Sequence, residues 1–264
     1  MQSNMIDTHA HVNAEEFDDD RDDVMRRAGE SGVGAWIEVG TDIASSRAAI
    51  ELAKKTPGVY ASVGVHPDEI ADLSEVDWKT LESYALHHTV CAIGEVGFDT
   101  FRDGVIADQE IVLRRFIALA QAAHKPMIFH VRSGNGVDAH EELLRVLSSY
   151  QKTELPRGVI HTFSGNAVQA DRYIQLGMMI SFSGVITFAN AGELPEIAKN
   201  IPLSSMLVET DCPFLTPGPY RGKRNEMAYV KYVIEKIADI RGVSFTDVEK
   251  ATEENAKTLF SLGI

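Results

Sequence analysis

A chain of 264 residues, 44% apolar and 24% charged, has the balance of a soluble globular protein and the length of one (β/α)8 barrel, which excludes disorder. Its net charge of −14 excludes a broad cationic surface gripping duplex DNA, because that grip needs many neutralised phosphates; a small local anion site stays open. Two isolated cysteines, Cys91 and Cys212, exclude a disulfide framework or thiolate zinc site, and with no leader and no run of roughly 18 apolar residues, a cytoplasmic protein without a membrane span is expected.

The chain opens on Met5-Ile6-Asp7-Thr8-His9-Ala10-His11. Histidines at i, i+2 share one face of a strand but lie roughly 200° apart on a helix, so this pair chelates together only at a strand or its frayed end. Strands are expected at 4–8, 35–39, 59–65, 90–94, 127–129, 158–160, 178–183 and 206–210. The segments between them mostly read as helices. Residues 18–31 end at Gly32, and 43–55 follow a Thr41-Asp42 cap and stop at Pro57-Gly58. Residues 107–124 carry Ile111, Leu113, Phe116, Leu119 and Ala120 as an apolar stripe ended by Pro126. Shorter helices are expected at 137–150, 167–175 and 191–199. A Pro- and Gly-rich loop then spans 212–222, and two or three helices run from 226 onward.

Strands alternating with helices imply parallel pairing, and eight such units favour a closed α/β (β/α)8 barrel, taken as one domain over 1–264, above an open doubly wound sheet. Five of the nine histidines, His9, His11, His66, His130 and His161, fall at expected strand ends, as do Glu95 and Asp211. In a barrel these ends share the rim where active sites sit. His9, His11, Glu95, His130, His161 and Asp211 exceed what one four-coordinate ion uses, so two divalent ions about 3.5–4 Å apart are expected, sharing a bridging carboxylate and water. Glu95 is the natural bridge and Asp211 the natural ligand and base. Glu209, two residues before Asp211, should face the same way one layer deeper, as support or in a direct role.

Further motifs extend this pattern: Gly64-Val65-His66-Pro67, Ile93-Gly94-Glu95-Val96-Gly97-Phe98-Asp99, His130-Val131-Arg132, His161-Thr162-Phe163-Ser164-Gly165, Ser181-Phe182-Ser183-Gly184, Leu207-Val208-Glu209-Thr210-Asp211-Cys212-Pro213 and Arg221-Gly222-Lys223-Arg224-Asn225-Glu226. In this order, over essentially the whole chain, the sequence resembles the TatD family of metal-dependent deoxyribonucleases, within the amidohydrolase-like barrels. The resemblance implies that the six residues above bind the metals. It departs from the family at Phe98, where Leu is usual, at Met227, where Pro is usual, at Thr162, where Cys is common, and in the loop 99–106; none of these removes a ligand.

Arg132 shares the rim with His130, and Arg221, Lys223 and Arg224 follow the eighth strand, so beside a dimetal site these cations are expected to hold a phosphate rather than form a solvated basic turn, with His66 either orienting an oxygen or making a structural hydrogen bond. Cys212 is expected to pack. The resulting expectation is a hydrolase that cleaves phosphodiester bonds of DNA from single-stranded 3′ ends. A deacylase or amidohydrolase acting on an ester or amide at the same dimetal site is the alternative. Histidines suit zinc, while carboxylates and phosphate suit magnesium or manganese. No obligate protein partner is evident in the sequence.

Overall fold

In a computed structural model describing residues 4–71, 73–102 and 104–263, the apolar runs become eight strands: β1 (Met5–Ala10), β2 (Val33–Val39), β3 (Val59–Val63), β4 (Val90–Asp99), β5 (Met127–Arg132), β6 (Gly158–Ile160), β7 (Met178–Phe182) and β8 (Met206–Val208). Between them lie α1 (Arg21–Glu30), α2 (Ile43–Lys55), α3 (Glu75–Ala85), α4 (Ile106–Ala123), α5 (Ala139–Leu147), α6 (Ala167–Gln175) and α7 (Leu194–Asn200), followed by α8 (Val230–Arg241) and α9 (Phe245–Phe260). Each strand pairs in parallel with the next, in the order β1 to β8.

The barrel closes between β8 and β1 by a seam different from the other pairs. Its ladder is a single bridge, Ala10 to Cys212, with His11 N donating to Cys212 O at 2.9 Å and Asp211 N to His9 O at 2.9 Å. Buried side chains do the rest. Thr8 Oγ1 donates to Val208 O, and Asp7 accepts from Thr210 N at 2.9 Å and Thr210 Oγ1 at 2.5 Å.

Alternation along the strands sorts the core into two layers. Ile6, Ile37, Ala92, Ile128, Val159 and Leu207 belong to one buried cluster, against which α9 packs Leu259 and Phe260. The other includes Val63, Phe98, Phe129 and Phe182 together with helix residues such as Leu113 and Phe116. The positions two residues beyond Ile128, Val159 and Leu207 are His130, His161 and Glu209. One periodicity therefore builds an apolar layer and sets the polar one directly above it.

Two expectations need correction. Strand four does not stop at residue 94 but runs to Asp99, so Glu95 lies inside the strand. Gly94 and Gly97, at φ 150° and 151°, lie inside the strand rather than ending it, and a Cβ on Gly97 would lie 2.0 Å from His130 O. In α4, Ile111 leaves the expected stripe and is 69% exposed, while Leu113, Phe116 and Ala120 are buried.

Candidate metal centre

The rim assembles from strands at both ends of the chain. His9 comes from β1 and His11 from just beyond it; Glu95 and His130 lie within β4 and β5; His161 and Asp211 follow β6 and β8. Glu95 is the hub. Its Oε1 lies 2.5 Å from His130 Nδ1 and 3.0 Å from His161 Nε2. Its Oε2 lies 3.3 Å from His9 Nε2 and 3.8 Å from His11 Nε2. Each oxygen thus faces its own pair of imidazoles. Asp211 Oδ1 joins the second pair, 3.7 Å from His9 Nε2 and 3.5 Å from His11 Nε2. Burial alone would push the Glu95 carboxyl up, yet His161, His9 and His130 hold it well below the ordinary carboxylate range.

This donor set has the chemistry of a cation site. His11 Nδ1 lies 3.1 Å from the Val39 carbonyl, an acceptor, which assigns a ring proton to Nδ1 and makes Nε2 the nitrogen available to a cation. Against burial, Asp211 and Glu95 raise the ring's pKa to about 9, so a cation there would displace a proton from Nε2. His11 Nε2 lies 3.1 Å from His9 Nε2, while the opposite nitrogen of His9 is buried without a hydrogen-bond partner. A tetrahedral ion with bonds of about 2.0–2.1 Å spaces its donors about 3.3–3.4 Å apart, close to what the residues present. His9, His11 and Asp211 form one group able to hold an ion, and Glu95, His130 and His161 form another.

Buried carboxylates support both groups. Glu209 accepts from Thr162 N at 2.5 Å, Thr162 Oγ1 at 2.9 Å and Ser181 Oγ at 2.7 Å, and lies 3.3 Å from His161 Nδ1. Despite burial, His161, His9 and Ser181 lower its pKa to about 2. His161 is thereby oriented with its other nitrogen on Glu95, while His9, His161 and Glu209 also lie close enough to form a group able to hold an ion. Glu38 accepts from Val12 N and Asn13 N and so fixes the turn just after His11.

The description TatD related DNase matches residues 6–261. The chain belongs to the TatD family. Among its relatives, the uncharacterized metal-dependent hydrolase YabD of Bacillus subtilis is 40% identical over 259 residues, covering 98% of this chain and 99% of that one. The 3′-5′ ssDNA/RNA exonuclease TatD of Salmonella typhimurium is 32% identical over 265 residues, covering 98% and 99%. The crystal structure of YjjV, a TatD homologue from Escherichia coli, superposes with a TM-score of 0.90 at 29% identity and covers 99% of this chain and 100% of its own. The protein is thus a metal-dependent hydrolase with the amidohydrolase-like barrel.

In this TatD-family hydrolase the expected phosphate-holding residues are placed unevenly. His66 Nε2 lies 4.0 Å from Glu95 Oε1, and the ring packs edge-on to His130. Its Nδ1 accepts from Asp68 N, which puts the proton on Nε2, and burial lowers its pKa to about 4, so the ring is neutral. Arg132 is exposed, with its guanidinium 3.9 Å from the Phe101 ring centre. Arg221 and Lys223 are exposed, the former lying over Phe188. Arg224 is not brought to the ligands: it pairs with both oxygens of Asp20, at 2.8 and 2.7 Å, and donates to Glu16 O. No helix among the described residues is long and apolar enough to cross a membrane.

Besides Glu38, a second supporting residue was not singled out by the sequence. Asp99, buried at the end of β4, has Oδ2 3.1 Å from His130 Nε2 and a pKa lowered to about 2, where contact with His130 outweighs burial. The signal was the period of two: Gly97 pairs with His130 in the ladder, and Glu95 and Asp99 flank Gly97 on the same face. Asp99 thus holds one nitrogen of His130 while Glu95 meets the other. Asp99→Ala is expected to weaken metal binding by about 10–100-fold, the usual scale for an outer partner of a ligating histidine, as read by calorimetric titration with zinc or manganese. Unchanged affinity would remove Asp99 from the site.

Proposed function

We propose that the protein hydrolyses phosphodiester bonds of DNA, removing nucleotides from single-stranded 3′ ends with two divalent cations. The observation that carries the dinuclear reading is the division of Glu95, one oxygen facing His130 and His161 and the other facing His9 and His11. Bound cations would polarise the phosphoryl oxygen and lower the pKa of attacking water. The chain's own residues do the rest. Asp211, on the rim and only partly buried, accepts the proton, and neutral His66 donates from Nε2 to a phosphate oxygen. Arg132, Arg221 and Lys223 are the exposed cations that meet the flanking phosphates. The name of the Salmonella relative supports the polarity and the single-stranded substrate.

Hydrolysis of an ester or amide is the second reading. It is favoured by the engagement of Arg224 with Asp20, which leaves fewer cations for phosphate. The two readings separate in a matrix of zinc, magnesium and manganese against end-labelled single-stranded DNA, duplex DNA, RNA and simple esters. Stepwise shortening of single strands from the 3′ end supports the nuclease; rapid ester cleavage without DNA degradation under any cation supports the alternative.

A further inference from the structure

Of the eleven phenylalanines, only Phe101 and Phe214 are more than half exposed, at 56% and 53%; the other nine, and both tryptophans, are buried or half-buried. Exposed apolar side chains scattered over a surface need no explanation. These two are not scattered. Phe214 follows β8, its N–H donates to the carbonyl of Asp211 at 2.9 Å, and its ring meets that of His11 edge-on with centroids 6.4 Å apart. Phe101 follows β4, its N–H donates to Asp99 Oδ1 at 2.8 Å, and Asp99 in turn holds His130. Strand order fixes their relation: β8 adjoins β1 at the seam, whereas β4 adjoins β5 half-way round the barrel. The only two open aromatic rings of the phenylalanine set therefore stand on opposite sides of the same cluster of ligands.

Arg132 adds charge to one of them. It lies face-on over Phe101 and makes no ion pair among the described residues. A guanidinium held on an aromatic ring is pre-oriented for a phosphate, and the same platform offers a flat surface to a base. Flat rings on both sides of a hydrolytic centre match a chain of flat groups joined by phosphates.

We propose that Phe101 and Phe214 are nucleobase-stacking residues, taking the bases on either side of the scissile phosphate and so selecting unpaired strands with little regard to sequence. This inference rests on the DNA-hydrolase reading and adds to it what holds the substrate. Bases in a duplex are already stacked and paired, and every base has a π-face, so such platforms give strand selectivity without sequence selectivity. With a net charge of −14, the protein has little broad electrostatic grip beyond the few rim cations, so stacking adds to their hold.

The test compares a single-stranded oligonucleotide with one whose two 3′-terminal positions are abasic, using the metal-loaded protein and its Phe101→Ala, Phe214→Ala and Phe101→Tyr variants. The expected result is that the wild type and Phe101→Tyr prefer the base-bearing strand in kcat/KM. Each alanine variant should lower that preference ratio by about tenfold, within the usual worth of one stacked base. A change appearing in KM, with tyrosine restoring it, separates stacking from a loss of loop structure, which would slow both strands alike. A ratio left intact in both alanine variants, whatever their overall rate, overturns the inference while leaving the nuclease reading standing. No shortening of either strand by the wild type under any cation overturns both.

Discussion

Asp211→Asn is expected to lower kcat by on the order of 10²–10⁴, the usual scale for losing a general base, while leaving the fold in place. The amide keeps an oxygen to offer a cation but cannot take up a proton. The backbone is undisturbed, since Asp211 at φ 58° holds a left-handed conformation that asparagine also tolerates, and its N–H still donates to His9 O. Turnover is to be compared at matched metal occupancy. Activity within a few-fold of the parent would move the base elsewhere.

Glu95→Gln should be the more damaging change, because a single carboxylate serves both groups of histidines. Removing one unit of negative charge about 4 Å from a cation costs on the order of 4 kcal/mol at an effective dielectric of 20, or roughly a thousandfold in affinity. Both binding events should weaken in one titration, whereas His161→Ala should affect mainly the group shared with His130. Two undiminished binding events in Glu95→Gln would exclude a bridging role.

The barrel and its rim were readable because they depend on short-range periodicity. A period of two puts His130 above Ile128 and His161 above Val159, and alternation of strands with helices implies the closed order. What escaped was long-range pairing. Nothing local says that Glu209 meets Thr162 and Ser181 or that Arg224 turns to Asp20, and the period of two that sets Asp99 on the face of Glu95 does not by itself name His130 as its partner. The length of β4 escaped because glycine weakens a strand locally, whereas here close approach to β5 requires Gly94 and Gly97. Three departures from the family pattern also take on meaning only in space. Phe98 and Met227 are fully buried in the outer apolar layer, so their effect is on packing, whereas Thr162 hydrogen-bonds the carboxylate that orients His161.

The seam between β8 and β1 gives the centre a structural duty alongside its chemical one. Seven neighbouring strand pairs are zipped by backbone ladders, but here one bridge and a few buried side chains join the beginning of the chain to its last strand. His9 and His11 stand on one lip of that joint and Asp211 on the other. A cation held by all three would act as a clasp, tying segments far apart in sequence and favouring the folded chain by mass action. The energy that would secure the ion is then the same energy that would keep the barrel shut, so the hydrolase would be most firmly closed when ready to work.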